Sequence, residues 1–237
     1  YLLQVRGSSQ NVNLLGATMS RAKLIGALLI DANLTDANLK GADLSGADLR
    51  WSNLSGANLK GTNLSRANLR EANLSEANLY NANLFGADLG IATIEIASLE
   101  TAYLCHTTMP DERDSGCHLA GKNLSGVNLT GINLRGANLS GANLSGANLK
   151  GVDLREADLR EADLIAVDLT GKDLSGTILV QANLLEANLE GVDLSNKDLT
   201  GANLRGANLT RANLTRANLT GADLSGIDLT GANLTHA

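Results

Sequence analysis

From Leu14 to Leu234 every fifth residue is Leu, Ile or Met, with Asp114 the single exception. The residue before each of these is Asn or Asp in 35 of the 45 units, and the residue two before is usually Ala. Ala57-Asn58-Leu59-Lys60-Gly61 is a representative unit. An α-helix cannot keep this stripe on one face, because five residues rotate the chain by about 500° and the apolar row drifts round the axis. A short extended segment can: residues two apart share a face, so Ala57 and Leu59 point inward while Asn58 points out. The two remaining residues turn the chain, and the second is often Gly, which reaches the backbone angles of a tight corner. Sides and corners repeated in this way wind a coil, and coils stack by backbone hydrogen bonds at a strand spacing of about 4.8 Å.

The unit resembles the A(D/N)LXX motif of the pentapeptide-repeat family, in the manner of its cyanobacterial arrays, over about residues 12–237. That resemblance implies an all-β fold, a right-handed quadrilateral β-helix solenoid of about 11 coils, interrupted by one loop. Four units then make a coil, residues 20 apart lie above one another, and the stack is a rod on the order of 50 Å long. Each coil buries four central side chains, each contributing roughly 1.5–3 kcal/mol. Residues 1–11 are off the motif, and their Leu2, Leu3 and Val5 suit an N-terminal cap or tail over the first coil.

The grid breaks once, in the stretch from Cys105 to His118, which holds the only Pro and both Cys of the chain. Pro110 lacks a backbone donor, and Glu112 and Asp114 fall where a side chain would face the core. Residues 110–118 are therefore expected to leave the coil as a loop between a first array, 12–109, and a second, 119–237. The Thr-Thr-Met-Pro-Asp run resembles the terminating segment of cyanobacterial arrays. The spacing across the break stays a multiple of five, which favours one continuous array over two rods at an angle. Cys105 and Cys117 flank the loop, and a disulfide and free thiols are both open readings. The two Cys-His dipeptides also invite zinc, but adjacent residues on an extended chain point opposite ways.

Composition sharpens this picture at a few points. Apolar residues make up 43% of the chain but aromatics only 2%, so the interior is a narrow space filled by Leu and Ala. The net charge of −6 is spread over both signs, which argues against direct nucleic-acid binding. No apolar run approaches the roughly 20 residues needed to insert in a membrane. Lys122, Lys172 and Lys197 occupy the normally small inward position, so each stem must run along the wall or the local strand must deform.

The 20-residue rule also maps the surface. Asp153, Asp173 and Asp193 form a candidate acidic interaction column, inside a segment, 153–198, with eleven acidic and four basic residues. Tyr80, Phe85, Ile91, Ile96 and Tyr103 form a candidate apolar interaction patch, either packed beneath the loop or open to a partner. Ile165 and Leu185 form a smaller pair. Lys40 and Lys60 stack in one column and Arg50 and Arg70 in another, on opposite sides.

No catalytic, cofactor or metal site is expected, since His106, His118 and His236 have no arrangement with a nucleophile and a base. The expected function is a non-catalytic, rod-like scaffold that binds a protein partner. The alternative, implied by the resemblance, is a DNA mimic acting on DNA gyrase. The repeat runs to Thr235 without a recognisable cap, which suggests end-to-end self-association. The compartment is the cytoplasm or, if Cys105 and Cys117 are bridged, a periplasm or thylakoid lumen.

Overall fold

A regular five-residue unit in the computed structural model makes one short side and one corner. The structure describes residues 12–237, except the side chains of Ile96 and Ala97. The expected cap over residues 1–11 lies outside them. On a side, the Asn or Asp position pairs in parallel with the residue 20 further on, as in Asn33↔Asn53 and Asn183↔Asn203. Leu34 N–H donates to the Asn53 carbonyl at 2.7 Å, and Asn53 N–H returns a bond to the Ala32 carbonyl at 2.9 Å. Four units therefore complete a coil, and the fold is a quadrilateral β-helix.

At a corner, Ala37 N–H donates to the Leu34 carbonyl at 3.0 Å, closing a turn over Thr35 and Asp36. Asp36 takes φ 54°, the positive value a type II turn requires at that position. The preceding Asn33 Oδ1 accepts the Thr35 N–H at 3.1 Å and its hydroxyl at 2.7 Å. This bond recurs along the chain, for instance from Ser175 N–H to Asp173 Oδ1 at 2.9 Å, and explains why the position before the Leu is Asn or Asp. Inside, Leu34, Leu39, Leu44 and Leu49 are fully buried with Ala37, Ala42 and Ala47 between them.

The chain divides into two compact units, Tyr1–Gly116 and Cys117–Ala237. In the first, the only helix among the described residues is α1, Ile96–Leu99. It stands where a regular corner is expected. A β-branched residue is strained at positive φ; Ile91 accepts that strain at φ 58°, and at the next corner the chain turns helical instead. The Glu95 carboxylate accepts the Glu76 N–H at 3.2 Å, and regular pairing resumes at Asn83↔Tyr103.

The excursion after Pro110 is an ordered hairpin. Pro110 is still in the coil, its carbonyl accepting the Ile91 N–H at 3.1 Å. The chain then doubles back: Thr108 pairs antiparallel with Asp114, and Met109 N–H donates to the Arg113 carbonyl at 2.7 Å. The return strand supplies the last coil with backbone partners that a further coil would otherwise provide. Glu112 and Asp114 are exposed, as their charge demands. His118 is already back in register, bridged to Asn138, so the segment outside the coils is 111–116 rather than the expected 110–118.

In the second unit the ladder opens on adjoining sides. Among the described residues no bridge joins Asn148 to Asp168, Asp153 to Asp173, Asp173 to Asp193 or Ile178 to Asp198, although Asn143↔Asp163 and Asp168↔Asn188 form. Lys172 and Lys197 sit at these gaps. Lys172 Nζ donates to the Val152 carbonyl at 3.3 Å, and Lys197 Nζ to the Thr177 carbonyl at 3.1 Å. Each ammonium takes a carbonyl to which the next residue's N–H would donate in a regular coil, as Asn53 N–H does to Ala32. At Lys122 the ladder stays paired through Asn123↔Asn143.

Candidate interaction faces

The corner geometry that sets Asn or Asp beside the second following residue also decides the chemistry of the acidic column. In the Asp153-Leu154-Arg155 unit the turn folds the guanidinium back on the carboxylate, with Nε 2.9 Å from Oδ1 and Nη2 2.5 Å from Oδ2. The hydrogen bond from Arg155 holds the Asp153 pKa down at about 2. Asp173 accepts the Ser175 hydroxyl at 2.6 Å and its N–H at 2.9 Å, which lower its pKa, while the Asp153 charge opposes the shift. Asp193 accepts the Ser195 N–H at 2.9 Å and Asn213 Nδ2 at 3.0 Å.

Lys197 adds positive charge felt by both Asp173 and Asp193, and burial pushes its own pKa down. The column thus has Arg155 at one end and Lys197 at the other as built-in counter-charges. Beside it the opened ladder forms a cleft of about 520 Å³, lined in part by Leu149, Lys150, Asp168, Thr170 and Lys172. Burial lowers the pKa of Lys172 as well, with Asp168 acting against it.

The apolar patch does not form as expected. Tyr80 and Ile91 are exposed, but Phe85 is fully buried and Tyr103 nearly so. Their rings meet at 6.4 Å between centroids and 42° between planes, over a buried Asn83 whose Oδ1 accepts the Phe85 N–H at 3.1 Å. Alternation along a strand places Tyr103 outward, but ring packing at the corner takes both aromatics out of solvent. Ile96 has no described side chain. The exposed Tyr80 ring carries the Lys60 ammonium 4.9 Å from its centroid, and Trp51 carries the Arg50 guanidinium at 5.3 Å.

Neither cysteine is free: Cys105 and Cys117 are both disulfide-bonded, so neither offers a thiolate to a metal. His106 Nδ1 lies 3.3 Å from the Asp114 carboxylate. Among the described residues no group of three or more His, Cys, Asp or Glu side chains is placed to hold a metal ion. Nor is any helix among them long and apolar enough to cross a membrane.

Pentapeptide repeats match the chain in 8 copies, over residues 13–50, 52–90, 123–160, 157–196 and 198–235. The stretch left between them, from 91 to 122, holds α1 and the hairpin. Among solved structures the chain is similar to HetL, a pentapeptide repeat protein involved in heterocyst differentiation regulation from the cyanobacterium Nostoc sp. strain PCC 7120. The identity is 34% over 94% of this chain and 89% of that one, with a TM-score of 0.51. Rfr23, a pentapeptide repeat protein from the cyanobacterium Cyanothece 51142, is 36% identical over 49% of this chain and 90% of its own, with a TM-score of 0.38. QnrB1, a plasmid-mediated fluoroquinolone resistance protein, is 19% identical over 96% of this chain and 91% of its own, with a TM-score of 0.28. No curated protein matches the chain.

Proposed function

We propose that this chain, which belongs to the pentapeptide-repeat family, is a non-catalytic scaffold whose flat sides bind other proteins. The observation that carries this reading is the division between inside and outside. The inward positions are mostly Leu and Ala packed to near-zero exposure. The Asn, Asp, Ser and Thr groups are largely engaged in closing corners, as at Asn33 and Thr35. Variation is left to the outward columns, which is where a partner would be recognised.

The face carrying Asp153, Asp173 and Asp193 is the first candidate for a basic partner surface. Capture from native extract with wild type and with the D153N/D173N/D193N variant tests it: a partner lost with the variant supports this face, and identical partner sets remove it. The involvement of HetL in regulation makes a regulatory protein the natural class of partner. For the DNA-mimic alternative, the basic positions Lys40 and Lys60 of the first unit are unhelpful. Unchanged gyrase supercoiling at micromolar protein would dispose of it.

The disulfide-bonded cysteines fit an oxidising compartment, a periplasm or thylakoid lumen. Alkylation of the native protein followed by mass spectrometry checks this: Cys105 and Cys117 should stay unmodified until reduced.

A further inference from the structure

Several charged positions among the described residues carry their own counter-charges. Arg50 pairs with Asp48, and Arg70 with Asp88 and Glu112, so the arginine column of the first unit is neutralised. Arg113 pairs with Asp111, and His106 lies against Asp114. The acidic column of the second unit has Arg155 and Lys197.

One corner column of the first unit differs. Arg21, Lys40 and Lys60 stand on successive coils around a cleft of about 680 Å³, and none takes part in an ion pair among the described residues. All three are exposed. Like charges one coil apart, at a spacing of about 4.8 Å, repel unless an anion lies between them.

The cleft is shaped by what is missing from its floor. The corner residues after Lys40 and Lys60 are Gly41 and Gly61, at φ 65° and 64°. A Cβ on Gly61 would meet nothing within 4 Å, and one on Gly41 would touch only the Arg21 stem at 3.7 Å. The glycines thus leave open space beside the cations, and Ser20, Asn38 and Asn81 also line the cleft. The nearby aromatic ring, Tyr80, is covered by Lys60.

We propose that this corner is a docking site for an extended acidic segment of a partner protein. This rests on the reading of the chain as a protein-interaction module and names the chemistry of one partner. An extended peptide presents side chains to one face about every 6.6–6.8 Å, a repeat that flexible Lys and Arg stems on neighbouring coils can follow. The amides of Asn38 and Asn81 suit the peptide backbone. A single-stranded nucleic acid would need a ring on which to stack its bases, and the residues lining the cleft include no aromatic.

The test is a titration of the 237-residue chain with a fluorescein-labelled peptide of alternating Asp and Glu at low salt. Inorganic polyphosphate and a single-stranded oligonucleotide serve as competitors. Binding should weaken at least tenfold in K40E and in G61D, and should be unchanged in R216E, at an exposed corner arginine of the second unit. G61D is compatible with the backbone, because Asp31 and Asp36 hold the equivalent corner position at φ 56° and 54°. A K40Q variant, which keeps the stem and removes the charge, guards against a folding defect and should weaken binding in the same direction. Equal binding by wild type, K40E, K40Q and G61D would overturn the site. Tighter binding of polyphosphate or oligonucleotide than of the peptide would overturn the partner class. Because the peptide is supplied, failure here is distinguishable from failure to capture a partner from extract.

Discussion

Asn53 stands for the most repeated side-chain decision in the chain: its Oδ1 accepts the Ser55 N–H at 3.1 Å and so closes a corner. Replacing it with Ala removes the acceptor, and N53A should lose about 1 kcal/mol, while N53D should lose little. Chemical denaturation of the two variants checks this. Asp153 makes the same bond and adds an ion pair. Its folded pKa of about 2 lies below that of an unfolded Asp, near 3.9. The stabilisation is therefore present above about pH 4 and is lost as pH falls toward 2, with a small magnitude because the pair is largely solvated. A carboxyl NMR titration should place the Asp153 midpoint near 2 in wild type and well above it in R155M. Equal midpoints would refute the pairing.

At the scale of the element, the five-residue grid was legible because side and corner each impose a local rule that one residue type meets. The run of three Asp positions 20 apart was legible as a shared register. Its counter-charges were not, because Arg155 meets Asp153 only once the turn folds it back, and Lys197 acts across coils. For Phe85 and Tyr103 the sequence left packing and exposure both open, because alternation gives the direction of a side chain, not what a neighbouring corner does with it; the structure buries both. The inward lysines announced a local deformation, and the structure gives its form at Lys172 and Lys197. Since Ala is the usual residue there, K172A should close the ladder between Asp153 and Asp173. It should stabilise the second unit by about 1 kcal/mol, which for a unit of this size raises its Tm by several degrees. Hydrogen exchange at Leu154 and Asp173 should slow in parallel, and faster exchange would contradict the account.

At the scale of the whole molecule, stability is carried by many equivalent leucines. L59A in the first unit and L159A in the second should each cost about 2–5 kcal/mol, since both side chains are fully buried and the regular coil has little freedom to collapse. In such a stack the loss should spread to adjacent coils and fade with distance, which exchange rates along the chain would report. The same repetition limited what could be read about function: residues committed to the core or to closing corners leave few positions to announce a partner. Those left free form columns, and the central claim is that the columns are binding faces. The most direct test is a hydrogen-exchange footprint of a captured partner on the full chain. The account predicts protection at positions 20 apart, as at 153, 173 and 193 or at 40 and 60. Protection of one contiguous stretch of sequence, with no 20-residue recurrence, would contradict it.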